Sequence, residues 1–163
     1  MLREYICQSS SQCDRSVKKS GKQSIGRSRG GLTTKIHLCS SSSKFAFLFH
    51  LSAENRNDAP EGRKLIRSMY SQDMHILIAD RAYEDKQTRT IMKEQGFIPV
   101  IPPKKNRKQR WEYDKELYKR RNEIERYFCR LERFGKVFVR HDRSDIMFIS
   151  VIRLAMIFDA LLM

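Results

Sequence analysis

Acids are scarce in this chain. Against 33 Lys and Arg there are 19 Asp and Glu, so its 163 residues carry a formal charge of +14 and a pI near 9.9. Charge of that size is a statement about partners: it implies a polyanion, most often nucleic acid. Closely spaced cysteines are lacking too. Cys7, Cys13, Cys39 and Cys129 include no C-x-x-C pair, which argues against a zinc or dithiol motif and for reduced thiols. The first fifteen residues have no apolar core of the signal-peptide kind. The one long apolar stretch, Ile146 to Met163, is interrupted by Arg153 and Asp159. Each costs about 2.5–3.5 kcal/mol at a bilayer centre. The stretch therefore reads as a buried helix closing a domain, and no membrane partner is expected.

What is present is unevenly placed. A chain of this length fits one domain with a real core. From Arg15 to Lys44 there are eight Lys or Arg and no acid; from Lys104 to Arg140 there are fourteen against six acids. Two basic blocks around a nearly balanced centre suggest two phosphate-contacting surfaces.

Residues 1–31 read as an irregular basic segment, without steady periodicity. Gly26, Gly30 and Gly31 surround Arg27 and Arg29, a turn able to bring N–H groups to a phosphate but without P-loop spacing. Two strands are expected at Leu32–Leu38 and Lys44–Ser52, joined through the serine run. A helix is expected over Asp58–Tyr70, capped by Asp58, with Pro60 in its first turn. His75–Asp80 reads as a buried strand, Lys86–Gln95 as a helix stopped by Gly96, and FIPVIPP as a third short β run. The basic KKNRKQR follows as a linker. Two helices, about Tyr113–Phe134 and Ser144–Leu162, complete the chain. The order indicates an α/β fold with a mixed sheet; one more strand near residues 1–9 would complete a five-stranded core.

Two acids stand out. Asp80 ends the apolar run HILIAD, and reactive groups collect at the carboxyl ends of strands in open α/β sheets; the plain alternative is a turn aspartate. On the long helix, Leu117, Ile124, Phe128 and Leu131 form an apolar stripe, with Tyr118, Arg121, Glu125 and Glu132 along its border. Glu125 could face a cleft while Arg120, Arg126, Arg130 and Arg133 reach outward. The plain alternative is a solvated Arg121–Glu125 pair. Carboxylates suit Mg²⁺, which prefers hard oxygen ligands, and two such ions can serve phosphodiester chemistry. That site needs three or four carboxylates; Asp80 and Glu125 supply two.

In order along the chain, IGRSRGGLTTKIH (Ile25–His37), NDAPEG (Asn57–Gly62), ADRAYE (Ala79–Glu84), VIPPKKNRK (Val100–Lys108) and YDKELYKRRNEIERYFCRLERF (Tyr113–Phe134) resemble bacterial insertion-sequence transposases of the DDE class. The resemblance implies an RNase H-like mixed sheet flanked by helices, over residues 32–163, and cleavage and strand transfer at element ends with Mg²⁺ or Mn²⁺. It implies Asp80 and Glu125 as catalytic, metal-holding residues, since Tyr118, Arg121 and Glu125 match the family's spacing of Tyr, Arg and Glu. The signature's final Lys is Glu132 here. Double-stranded DNA, as terminal inverted repeats and target, is the implied partner. Arg27, Arg29, Lys104, Lys105, Arg107, Lys108, Tyr118, Arg121, Arg126 and Arg130 are the expected contacts. A homodimer or association with an intact transposase is the implied assembly, in the bacterial cytoplasm at the nucleoid.

The resemblance departs at the front. Family members carry a first catalytic Asp in an Asp-Ser-Thr strand, some twenty residues before the IGRSRGG match. Counting back reaches about Arg3, and the nearest acid, Asp14, is poorly spaced. The first strand is therefore expected to be missing or degenerate, and the family's N-terminal DNA-binding region absent. The expectation is a decayed copy or the second frame of a split gene, inactive in isolation. The alternatives are a non-enzymatic DNA-binding protein, perhaps inhibiting an intact transposase, or a general RNase H-like nuclease.

Overall fold

The computed structural model describes residues 23–27, 31–142 and 144–162, and the backbone alone of residues 4–14 and 28. In chain order the elements are β1 (Glu4–Asp14), β2 (Gly26–Ser28), β3 (Gly31–Ser40), β4 (Ala46–Ala53), α1 (Asp58–Arg67), β5 (His75–Ala79), α2 (Lys86–Glu94), β6 (Phe97–Val100), α3 (Lys115–Lys119), α4 (Asn122–Glu132), α5 (Gly135–Phe138), β7 (Val139–Arg140) and α6 (Asp145–Leu161). The principal strand order is β4-β3-β1-β5-β6. The β4-β3-β1 side is antiparallel and the β1-β5-β6 side is parallel. The short β2 pairs with the start of β3, and β7 with the end of β1.

The stretch expected to be irregular thus contains the central strand. β1 runs eleven residues and pairs from Ile6 to Asp14 with β3 and from Glu4 to Cys7 with β5. Its sequence, EYICQSSSQCD, shows little apolar alternation. Pairing along both edges, with partners far away in the chain, makes it a strand. The strand expected to be missing or degenerate is present as β1, and its sequence has no carboxylate in its middle.

Alternation across the sheet sorts the core into two layers. On one face Ile36, Leu38, Ile76, Ile78 and Val100 pack with Ile124, Phe128, Leu131, Phe148 and Ile152 of α4 and α6. On the other, Cys39, Leu77, Ala79 and Phe97 pack with Leu65, Ile66, Ile91 and Met92 of α1 and α2. Ile76 and Ile78 share the α4 layer, so Asp80, two residues on, falls in the same row.

The helices correct several boundaries. Asn57, not Asp58, is the N-cap of α1, and Asp58 pairs with Lys35 at 2.9 Å. Asp85 caps α2 through Thr88 N. The helix expected over Tyr113–Phe134 is two pieces. Between them Arg120, Arg121, Glu123 and Ile124 donate to the third residue back rather than the fourth. This tighter winding has about three residues per turn, which brings Tyr118 and Arg121 into line. The long terminal helix is only half buried: Phe148, Ile152, Ala155 and Asp159 face inward, while Leu154, Ile157, Phe158 and Leu161 are exposed. No helix among the described residues is long and apolar enough to cross a membrane.

Candidate active site

Asp80 follows the last residue of β5, where the chain turns out of the sheet. Its side chain accepts from Arg81 N at 2.7 Å, opening a single 3-10 turn, Arg81–Tyr83. That is the plain turn role. A second contact is long-range: the Tyr118 hydroxyl donates to Asp80 Oδ1 at 3.4 Å. Arg121 lies 5.8 Å from the Tyr118 ring centre and donates from Nη1 to Glu125 Oε1 at 2.5 Å. Asp80 and Glu125 are thus the two ends of one chain of contacts, Asp80–Tyr118–Arg121–Glu125, drawn from β5, α3 and α4.

The electrostatics follow that chain. Burial, and then the Asp80 carboxylate, push the Tyr118 phenol above its ordinary value, against the opposing pull of Arg121 and Arg81. Burial on its own would lower the Arg121 guanidinium. The hydrogen bond to Glu125, with Tyr118, Glu125 and Asp80 acting through charge, outweighs it and raises the group. Arg121 therefore stays a cation between the two acids.

The turn carrying Asp80 is held from the opposite face of the sheet. Tyr83 is buried, and its hydroxyl lies 2.8 Å from His37 Nδ1 on β3. The other His37 nitrogen lies 2.8 Å from Ser52 Oγ on β4. Burial pulls His37 down to about 4, so at neutral pH it is uncharged, with one nitrogen donating and one accepting. The Tyr83 ring also closes over Gly62 of α1, where a Cβ would sit 2.2 Å from a ring carbon. Glu84, buried, takes Arg107 Nε at 2.6 Å, and Asp85 pairs with Arg63. Each of these residues of the ADRAYED segment fastens the turn to a different element. His37, Ser52 and Gly62 are positioning residues with little signal in the sequence: His37 and Gly62 lie inside the blocks carrying the family resemblance, and Ser52 lies in none of them.

The expected DNA-contacting residues divide into two groups. Arg27, Lys104, Lys105, Lys108 and Arg126 are exposed. Lys105 borders a hollow of about 670 Å³ together with Arg81, Arg110 and Trp111, directly beside the Asp80 turn. Arg126 borders a groove along α4 together with Glu125 and Arg133. Others are engaged inside the molecule. Arg107 holds Glu84 and lies 5.2 Å from the centre of the Trp111 ring, and Arg89 lies 3.5 Å from the same centre. Arg130, expected to reach outward, instead makes a paired contact with Asp159 of α6 at 2.9 and 3.1 Å and donates to Ser43 O. Arg140 of the same basic block is wholly buried against Thr34 and Asp145. Arg29 lies outside the described residues. Cys39 and Cys129 form no disulfide.

A pair of divalent ions asks for several hard oxygen ligands. Asp80 and Glu125 are two, and each already holds a protein donor. Among the described residues there is no group of three or more His, Cys, Asp or Glu able to hold an ion. The described residues therefore do not by themselves fit the metal pair that the resemblance implies.

A mixed five-stranded core with helices on both faces is an RNase H-like fold. The profile of the transposase DDE domain matches residues 8–157, and the chain belongs to that family. Among solved structures it is similar to the piggyBac transposase in a synaptic complex with hairpin DNA, determined by cryo-EM. The TM-score is 0.58 at 9% identity, over 94% of this chain and 45% of that one. This chain thus spans less than half of that protein's length. No curated protein is detectably similar in sequence.

Proposed function

We propose that the protein is a DNA-end-binding member of the DDE transposase family whose cleavage chemistry is incomplete. The observation that carries this reading is the Asp80–Tyr118–Arg121–Glu125 chain of contacts set beside exposed cations at Arg81, Lys105 and Arg126. Duplex DNA, in the form of an element's terminal repeats and its target, is the partner that such a surface suits. The structural neighbour was itself solved with hairpin DNA. Within this reading Arg81, Lys104, Lys105, Lys108 and Arg126 hold phosphates, while Asp80 and Glu125 mark where a scissile phosphate would lie. Arg121 neutralises the space between the acids. Mg²⁺ or Mn²⁺, supplied to a complete set of carboxylates, would activate the attacking oxygen and stabilise the leaving one.

Two carboxylates where three or four are needed also favour a second reading: a non-enzymatic DNA binder that occupies element ends, alone or paired with an intact transposase. The test is common to both. The purified chain is incubated with element-end duplex and Mg²⁺ or Mn²⁺, and binding, cleavage and strand transfer are followed. Retained binding without turnover is expected. Robust strand transfer would overturn the incomplete-site reading, and cutting without end preference would favour a general nuclease. Inhibition of an intact transposase by added chain would favour the second reading over the first.

A further inference from the structure

The sheet register identifies where the shortfall of carboxylates lies. Across the parallel pair β1–β5, Cys7 is the partner of Ala79. The next residues along the two strands are Gln8 and Asp80. Across the antiparallel pair β1–β3, Gln8 is the partner of Leu38, and Leu38 belongs to the core layer covered by α4. Position 8 is therefore flanked in register by Leu38 and by Asp80, both in the row facing the helix that carries Glu125. α4 also packs against β1 itself. Among the described residues, the β5 side of β1 has no strand partner from Gln8 until β7 reaches Cys13.

The acids of β1 do not reach this point. Glu4 lies four residues back and Asp14 six residues ahead, roughly 13 and 20 Å away at the strand rise of about 3.3 Å per residue. Asp14 pairs in register with Arg140 at the far end of the strand.

We infer that position 8, set beside Asp80 by the strand register, is where this site is short of a carboxylate, and that Gln in place of an acid at that position is what keeps this chain from loading divalent ions. The inference rests on the transposase reading and sharpens it: the site is short by one charged oxygen at one position of an otherwise intact β1. Gln and Asp both offer an oxygen, but a neutral carboxamide neither balances a divalent charge nor bridges two ions as a carboxylate does.

The experiment is Mn²⁺ binding to the full chain, read by electron paramagnetic resonance of free ion and by calorimetry. The forms compared are wild type, Gln8→Asp, Gln8→Glu and the neighbouring-position control Ser9→Asp. Circular dichroism reports folding of each. Wild type and Ser9→Asp are expected to bind weakly. Gln8→Asp is expected to tighten binding by at least about tenfold, since affinity follows the count of charged ligands, and to lose the gain when Glu125→Gln is added. Gln8→Glu serves if Gln8→Asp does not fold. Tight Mn²⁺ binding by wild type, or a folded Gln8→Asp or Gln8→Glu with no gain, or an equal gain in Ser9→Asp, overturns the inference. Duplex binding is measured on the same samples. Metal gain without DNA binding would sink the functional proposal and leave the position-8 assignment standing, and the reverse result would do the opposite.

Discussion

The hydroxyl of Tyr118 reaches the carboxylate of Asp80 at 3.4 Å, across 38 positions of the chain. The same ring lies beside Arg121, whose guanidinium ends on Glu125. Two acids on separate elements are thus joined through one tyrosine and one arginine. A 3.4 Å contact is at the long limit of hydrogen bonding, so Tyr118→Phe should cost less than about 1 kcal/mol in stability. Its signature is in titration. Tyr118 is held above its ordinary value by burial and by Asp80. The alkaline absorbance difference between wild type and Tyr118→Phe should therefore appear above the range of an exposed tyrosine. A difference centred at or below that range would contradict the contact.

Arg126 and Arg130 lie on the same helix, four residues apart, and should behave differently. Arg126 is exposed. Arg126→Ala should leave stability within about 0.5 kcal/mol and reduce the slope of log affinity for DNA against log salt by about 1. Arg130 holds Asp159, which is 8% exposed, across the α4–α6 interface. Arg130→Ala strands that carboxylate and should cost about 3–5 kcal/mol, read by urea denaturation. Equal effects of the two substitutions on stability would refute the assignment of Arg130 to the core.

His37 gives the fold a pH dependence with a definite sign. Its folded value of about 4 lies below the ordinary 6.5, through burial, with Asp58, His50, Glu61 and Lys35 acting around it. The unfolded chain therefore takes up the proton first. His37's contribution is fully present above pH 6.5 and is lost as pH falls toward 4, on the order of 3 kcal/mol at most. The stability gap between wild type and His37→Gln should shrink over that window. A gap that stays constant or widens on acidification would contradict the buried neutral imidazole.

Local patterning made the α4 layer readable. Ile124, Phe128 and Leu131 recur at helical spacing and are all buried, and the apolar run before Asp80 is β5. β1 was not readable in the same way. Its middle is Gln8-Ser9-Ser10-Ser11-Gln12, and only pairing with residues 32–40 and 76–79 makes it a strand. The same limit hid the fate of Arg130 and Arg140, whose partners Asp159 and Thr34 lie 29 and 106 positions away. Of the candidate site, the sequence proposes Asp80 from the end of an apolar run and Glu125 from the family spacing. The His37–Tyr83 anchor and the register position of Gln8 needed the sheet.

Gly62 tests that anchor. A methyl group there would meet the Tyr83 ring at 2.2 Å, and Tyr83 cannot retreat without losing His37. Gly62→Ala should cost about 1–3 kcal/mol by overpacking, seen as a lower urea midpoint at unchanged slope. A neutral result would show that the ring moves freely and that the Asp80 turn is not fixed from this side.

DNA binding by this transposase domain is read by equilibrium titration of a fluorescent duplex as NaCl is raised from about 50 to 200 mM. With several Lys and Arg releasing counterions from phosphates, affinity should fall by about 10³-fold or more over that range. Binding that is undetectable at the lowest salt, or that barely changes across the range, would contradict it.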